Sequence, residues 1–535
     1  MSITSVTFIL FLLVTVILYY LIPGKYRWLV LLASSMFFYM MSGISNGIYI
    51  LITALSTFGS AIFMQKITDS QKRYFKENKE SLTREDKAII KKKNTSKRKT
   101  LLILTLILNF GILCVFKYSH FALEQFNNAI SLFGAQPIED TMKFIIPLGI
   151  SFYTFQSMGY LADVYWNKIP AEKNFLKLLL FVSFFPQITQ GPISSFEQLG
   201  KELFEEHKFT YKNYSWGIQR MMWGFFKKMV IADTLSPWVY DVFENYSQYS
   251  GITTLIGAFM YSVLIYADFS GYMDIVCGFC EVLGIKLTEN FDRPYFSKSI
   301  AEYWRRWHIS LGVWFKSYIY YPIAVSGWNK KLGKFSQKKL GKTFGKTVPA
   351  SVALVVVWLT TGLWHGASMA YVAWGGVNGL FIILSLWLEP VYDKCKSKLK
   401  IKESATWFRA FQTIRTFILV TFIKVLPEVG TLSEGFGLWK NIFTSRIIPD
   451  SWQTLLPFVD NIYDDKSIRT IGVVIFGTLL IFITSMIQRK QPIRQFLGKF
   501  PLIVKIAVFV ALFFLIVYFG IPASGNAGGF MYAQF

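Results

Sequence analysis

The residues with the most chemical potential are concentrated between Asn290 and Gly366 of this 535-residue chain. Of four histidines in the sequence, two lie in this stretch, His308 and His365. His365 ends a run of apolar residues, 352–359 with its flanks, that is long enough to lie at membrane depth. An ionisable group at that depth is costly without a partner or water, so His365 is a functional candidate; the alternative is a satisfied core histidine.

The composition indicates the elements that must position these histidines. The chain is 53% hydrophobic, 18% aromatic and only 16% charged, whereas soluble domains carry about 25% charged residues. Repeated apolar runs of about 20 residues predict spanning helices, and the short alternating strands of a barrel are missing. We therefore predict an all-α polytopic membrane protein, with residues 1–535 as a single domain and Thr7 to Leu21 as an uncleaved first span.

The net charge of +24 is distributed in loops between apolar segments, which favours the positive-inside pattern over nucleic-acid binding. Residues 65–99 carry 13 Lys or Arg against five acids, and 328–347 carry seven Lys and no acid. These basic segments are predicted to be cytoplasmic, and 65–99 to be a charged helix or a tether on the anionic leaflet. Segments 427–470 and 521–535 are poor in basic residues, which predicts that they and both termini are extracellular.

The apolar segments are predicted at 5–22, 28–41, 47–64, 100–117, 144–162, 175–190, 215–232, 252–270, 273–287, 303–325, 348–364, 369–388, 408–426, 470–487 and 502–520. Those at 144–162, 175–190, 215–232 and 303–325 contain Pro, Gly or charges, which is typical of re-entrant or interfacial helices. Cys277 and Cys280 have metal or redox spacing, but they lie in an apolar run without a second pair, so small core residues are favoured and no metal site is expected.

Several motifs together resemble the membrane-bound O-acyltransferase superfamily. The resemblance is to the bacterial branch of alginate and peptidoglycan O-acetyltransferases, with teichoic-acid D-alanyl transferase as a more distant relative. It covers nearly the whole chain and rests on Tyr266–Tyr272, Asn290–Phe296, Trp304–Leu311, Leu363–Ala367, Pro147–Phe152, Phe184–Gln187 with Gly191–Ile193, and Phe530–Phe535. The Arg-Asp pair that often follows the family's Trp-His segment is absent from 315–327, so its role is not transferred.

The resemblance implies a ring of transmembrane helices with re-entrant helices around a central tunnel. It makes His365 the base that takes a hydroxyl proton during acyl transfer, a task that suits imidazole. His308 becomes the second histidine, which orients the acyl group and acceptor or shares proton transfer. Asp268, Trp364 and Asn290 are then candidates for lining the tunnel, although Asp268 is equally suited to pairing with an arginine.

Two further groups acquire roles by resemblance. Trp304, Arg305, Arg306 and Trp307 are candidates for binding the donor, because guanidinium groups hold phosphates such as those of coenzyme A; the alternative is snorkelling to lipid headgroups. Tyr532, in the glycine-rich aromatic tail, is a candidate acyl shuttle that forms an ester and passes it outward; the alternative is a tail that only packs.

The function implied is an O-acyltransferase of a bacterial cell membrane that takes an acetyl group from a cytoplasmic thioester. No bound cofactor is expected; the donor would be acetyl-CoA or, alternatively, an acyl carrier protein. The expected partners are membrane lipids and an extracellular enzyme of the Ser-Gly-Asn-His hydrolase-like type that esterifies a polysaccharide or wall glycan, and no nucleic acid. The alternatives are D-alanyl transfer to teichoic acid, a proton-coupled transporter, or a scaffold that recruits other enzymes.

Overall fold

The computed structural model describes residues 2–41, 43, 46–445 and 465–521, and its regular structure there is helical. The helices are α1 Val6–Leu21, α2 Arg27–Met40, α3 Asn46–Glu77, α4 Arg84–Ser131, α5 Ile150–Tyr165, α6 Phe175–Ser183, α7 Phe185–Ile188, α8 Phe196–Phe204, α9 Tyr211–Phe225, α10 Asp233–Glu244, α11 Gly251–Val282, α12 Ile300–Arg306, α13 Ile309–Phe315, α14 Tyr321–Ala324, α15 Gly327–Leu340, α16 Phe344–His365, α17 Met369–Trp387, α18 Glu389–Lys398, α19 Thr406–Val425, α20 Leu432–Thr444, α21 Asp465–Gln488, α22 Ile493–Gly498 and α23 Leu502–Phe519. Wider π-helical turns at Phe226–Ala232 and Lys316–Tyr320 interrupt the α-helices.

Six described helices are long and apolar enough to cross a membrane: α3, α4, α11, α16, α17 and α23. The apolar side chains of α23 are largely exposed, with Ile503 at 76% and Val517 at 59% of their full accessibility. A monomer in water rarely leaves so much contiguous apolar surface uncovered, whereas lipid is the natural solvent for it. The prediction of an all-α multi-pass membrane protein is confirmed.

One predicted boundary is wrong. The segments at 252–270 and 273–287 are not two spans, because α11 runs without interruption from Gly251 to Val282. At 1.5 Å per residue its 32 residues extend about 48 Å, more than the roughly 30 Å of a bilayer core. Gly271 lies inside this helix because α9 packs directly against it: a Cβ on Gly271 would lie 2.9 Å from the Gly224 carbonyl oxygen.

The interrupted character expected for several segments is present. Residues 175–190 form two helices, α6 and α7, and residues 303–325 are divided among α12, α13, a π-helical turn and α14. The lysine-rich stretch before α16, which the sequence suggested was a loop, forms α15 with Ser326 as its N-cap. Short interrupted helices leave backbone groups that protein or water must satisfy, so lipid alone cannot surround them.

The chain groups into two compact units, and the prediction of a single domain stays a prediction. The first unit contains Thr7–Tyr214 and Cys280–Leu287. Its basic insert is a helical hairpin formed by the end of α3 and the start of α4. Thr83 and Asp86 form a capping box at the turn, and Asn94 donates a hydrogen bond to Gln71 at 3.0 Å. The predicted charged helix is therefore present, whereas its orientation in the membrane stays a prediction.

The second unit contains Ser2–Val6, Ser215–Phe279 and the chain from Thr288 onward, and it holds the histidines of interest. Its apolar core surrounds the π-helical turn Phe226–Ala232 and includes Phe226, Val230 and Ile231. Buried ion pairs accompany this turn: Lys227 lies 2.8 Å from Asp274, and Lys228 lies 2.6 Å from Asp268. Each buried ammonium there has a carboxylate partner, as burial of charge requires.

Candidate active site

His365 is held at the carboxyl end of α16 by its own helix. Its Nδ1 lies 2.8 Å from the carbonyl oxygen of Thr361, one turn earlier, and the residue is only 6% exposed. A carbonyl oxygen can only accept, so Nδ1 carries the proton of this bond, and in the neutral ring Nε2 carries the lone pair. The helix thus selects the tautomer in which Nε2 can act as a base.

Two glycines bring α17 close to this end of α16. A Cβ on Gly362 would lie 2.3 Å from the carbonyl oxygen of Tyr371, and one on Gly366 would lie 2.1 Å from the Tyr371 ring. Neither position tolerates a side chain without movement. The close approach places the Trp374 ring 4.8 Å from the His365 ring, between centroids, so an aromatic wall covers one side of the imidazole.

His308 occupies a strained position at the N-terminus of α13. It adopts φ 47° and ψ 53°, the left-handed region that non-glycine residues seldom occupy, and it is 1% exposed. Such strain persists only where the surroundings impose it, and it is concentrated at functional sites. Burial, and secondarily the adjacent His365, hold the pKa of His308 well below its usual 6.5, so this imidazole is neutral at pH 7.

Asn290 imposes this conformation. Its carbonyl oxygen accepts from the Ile309 amide at 3.1 Å, and its side-chain Oδ1 accepts from the Ser310 amide at 2.9 Å. The amide of Asp292 donates to the carbonyl of Arg306 at 3.0 Å, so the two segments on either side of α12 lie antiparallel. These contacts of Asn290 cap α13 and fix the backbone of His308, while its predicted place in the lining of a tunnel stays a prediction.

The two histidines predicted from the motifs lie near one another. Trp364 connects them, with its ring centroid 6.1 Å from that of His308 and 4.9 Å from that of His365. Trp364 is 5% exposed, so it packs against both histidine rings inside the protein. The structure thus brings His308 and His365 close together, while their predicted roles in acyl transfer stay a prediction.

A small cavity opens beside His365, with a volume of about 30 Å³. This is room for one or two water molecules. Its walls are mainly aromatic, with two basic side chains and one acidic side chain among them. The lining residues are Tyr261, Ile265, Trp304, Trp307, His365, Tyr371, Trp374, Lys424, Pro427 and Glu428.

Only some of the residues predicted to bind the donor line the cavity. Trp304 and Trp307 line the cavity, and the Trp304 indole donates to Oδ1 of Asn378 at 2.9 Å. Arg306 forms an ion pair with Glu302 at 2.7 Å, and Arg305 is exposed. Neither arginine is among the residues that line the cavity.

The predicted tunnel-lining residues also lie away from this cavity. Asp268 pairs with Lys228, so its observed role is that of a buried counter-ion, although the partner is a lysine rather than an arginine. Trp364 and Asn290 hold the histidines, as described above, and do not line the cavity. Tyr532 lies outside the described residues, so its predicted role as a shuttle stays a prediction.

Lys424 and Glu428 are functional candidates that the motif analysis missed. Lys424 lies in the last turn of α19 and is 5% exposed; Glu428 follows one turn later, and Tyr371 donates to its Oε1 at 3.4 Å. Burial raises the pKa of Glu428 from 4.5 to about 7, against the opposing effects of Tyr261, Tyr371 and Lys424. A signal was present in the sequence: Lys424 lies near the end of the apolar segment 408–426, where the argument applied to His365 also holds.

Comparison with known proteins agrees with this arrangement. The sequence profile of the MBOAT, membrane-bound O-acyltransferase family matches residues 167–423. A probable alginate O-acetylase of Azotobacter vinelandii is 30% identical over 80% of this chain and 74% of its own length. A probable alginate O-acetylase of Pseudomonas aeruginosa is 33% identical over 64% of this chain, and the match spans 60% of that relative.

A peptidoglycan O-acetyltransferase of Helicobacter pylori is 30% identical over 69% of this chain and 70% of its own length. The family's profile covers the region that contains His308, His365 and the helices that position them. The chain belongs to the membrane-bound O-acyltransferase family.

Proposed function

We propose that this protein is an O-acetyltransferase of a bacterial cell membrane. It takes an acetyl group from a cytoplasmic thioester, with acetyl-CoA as the donor, and passes it across the membrane for esterification of an extracellular polysaccharide or wall glycan. The family and the relatives that act on alginate and peptidoglycan support this assignment. An extracellular enzyme would complete the transfer to the polymer.

The observation that carries the proposal is the state of His365. Thr361 fixes the tautomer in which Nε2 is the basic nitrogen, and the imidazole borders a cavity at the end of a helix able to span the bilayer. A base of this kind removes the proton from an attacking hydroxyl and contributes on the order of 10²–10⁴ to the rate. In our proposal His308, Asn290 and Trp364 are positioning residues for it.

The hydroxyl that attacks is proposed to belong to Tyr532 in the carboxyl-terminal tail. The phenol would receive the acetyl group as an ester and deliver it on the extracellular side. The resemblance of the tail to the aromatic endings of D-alanylation systems supports this step.

Incubation of the full chain in liposomes with acetyl-CoA, followed by mass spectrometry of the carboxyl-terminal peptide, tests the proposal. We expect release of coenzyme A and an added acetyl group on Tyr532, and loss of both in His365→Ala. His120→Ala is a matched control, because that exposed histidine pairs with Asp140 on the surface.

Three outcomes would contradict this function. Coenzyme A release that persists in His365→Ala would remove the base from the mechanism. Turnover with a D-alanyl thioester in place of acetyl-CoA would assign the protein to teichoic-acid modification. Movement of protons or solute across the liposomes without loss of the thioester would identify a transporter.

A further inference from the structure

We propose that Lys424 forms the carbonyl-oxygen subsite of this cavity and stabilises the oxyanion that develops on the acyl group. The inference rests on the proposed acyl transfer and adds to it a residue that lies just beyond the stretch matching the family profile. The buried amino group of Lys424 is satisfied in an unusual way.

The Lys424 ammonium lies in an aromatic cage. Its Nζ is 3.6 Å from the ring centroid of Trp307, 5.0 Å from that of Tyr295 and 5.3 Å from that of Tyr303. It also donates a hydrogen bond to the Tyr295 hydroxyl at 3.0 Å. Aromatic faces attract cations, so the cage favours the ammonium over the neutral amine and opposes the cost of burying its charge.

The contrast with the neighbouring buried lysines is informative. Lys227 and Lys228 each lie within 2.8 Å of a carboxylate. Across the part of the chain that the structure describes, no carboxylate pairs directly with Lys424. Glu428 lines the same cavity, one helical turn further on, and its carboxyl group interacts with Lys424 at longer range.

A lysine whose only task was structural would be expected to have a direct counter-ion, because burying a charge without one is costly. An ammonium has three N–H donors, and the Tyr295 hydroxyl accepts one of them. Lys424 and His365 both line the cavity. A preorganised cation beside a base in a site with little water is the arrangement that stabilises a developing oxyanion.

The step balances with these two groups. The acceptor hydroxyl oxygen bonds to the acyl carbon of the thioester, the C=O π electrons move to the carbonyl oxygen, and the hydroxyl proton moves to Nε2 of His365. Lys424 donates a hydrogen bond to the resulting oxyanion. When the C=O bond re-forms, the C–S bond breaks and His365 returns the proton to the departing thiolate, which leaves as a thiol.

The test measures coenzyme A release by the full chain in liposomes as a function of acetyl-CoA concentration. Removal of one oxyanion donor lowers kcat by about 10²- to 10³-fold in enzymes of other classes. We expect a loss of this order in Lys424→Met, with KM for the donor within about threefold of the unchanged protein. Lys424→Arg, which keeps a positively charged side chain, should retain more of kcat than the neutral variants Lys424→Met and Lys424→Gln.

Two further variants separate this role from a structural one. Lys424→Gln keeps a donor for Tyr295 but removes the charge, so it should lose kcat even where Lys424→Met fails to fold. Arg415→Met removes a cation from the exposed side of the same helix and should leave kcat unchanged.

The outcomes distinguish the two proposals. If His365→Ala abolishes turnover while Lys424→Gln and Lys424→Met keep kcat within threefold, the subsite is wrong and the acyl transfer stands. If the loss in both neutral variants is entirely in KM, Lys424 binds the donor and the subsite is again wrong. If the unchanged protein does not consume the thioester at all, both proposals fail.

Discussion

Glu428 gives the structure's clearest prediction about pH. It lies in the turn after α19, outside the candidate spans, and faces Tyr261, Tyr371, Lys424 and the His365 side of the cavity. Burial raises its pKa from 4.5 to about 7. Because the folded-state pKa is above the unfolded one, the folded protein binds the proton more tightly, and the stability this contributes is lost as pH rises through 7.

The magnitude follows from the shift. A displacement from 4.5 to about 7, at about 1.4 kcal/mol per pKa unit, corresponds to at most about 3.5 kcal/mol in total. The part that falls between pH 5 and pH 8, discounted for the partial exposure of the side chain, is about 2 kcal/mol. Glu428→Gln cannot ionise, so its stability relative to the unchanged protein should rise by about this amount over that interval.

The assay is thermal unfolding of the detergent-solubilised chain, followed by tryptophan fluorescence at several pH values. Glu434→Gln is the control, because the capping box with Thr431 lowers the pKa of Glu434. The contribution of Glu434 to stability is therefore lost only when the pH falls below the ordinary pKa of a carboxyl group. Its effect should therefore be constant from pH 6 to pH 8. A difference between Glu428→Gln and the unchanged protein that is the same at pH 5 and pH 8 would refute the reasoning.

Two other substitutions test the scaffold. Asn290→Ala leaves the buried Ser310 amide without its acceptor, which should cost about 1–3 kcal/mol in unfolding free energy and lower turnover by displacing His308; unchanged melting and activity would contradict the capping role. Gly224→Ala places a Cβ 2.6 Å from the Gly271 carbonyl oxygen, so α9 must move away from α11 at a cost of about 1–3 kcal/mol in unfolding free energy. Gly111→Ala is the control: its Cβ meets nothing within 4 Å, so the melting temperature should be unchanged or higher.

The sequence predicts the class of fold well because membrane helices are encoded locally. A run of apolar residues long enough to span is its own signal, and basic residues in adjacent loops mark its ends. The α11 helix shows where this approach fails. Gly271 and its neighbours suggested a break between two segments, yet the helix continues because packing against Gly224 outweighs the weak helix propensity of glycine.

The sequence predicted the site residues that belong to recognisable motifs, but it did not predict those that reach the site from distant segments. His308 and His365 are 57 positions apart in the chain, and motif resemblance alone selected both of them. Lys424 and Glu428 join the same cavity from α19 and the following turn, a contact that no local pattern encodes. Arg305 and Arg306 are close to His308 in sequence but are not among the residues that line the cavity, and their predicted role in donor binding stays a prediction.

The central claim is that His365 is the base of an acyl transfer, and initial rates of thioester consumption test it most directly. The full chain in liposomes would be supplied with saturating acetyl-CoA, and coenzyme A release would be compared among the unchanged protein, His365→Ala and His120→Ala. We predict release by the unchanged protein and by His120→Ala, and a loss of at least about 10²-fold in His365→Ala. Equal rates in all three would contradict the account.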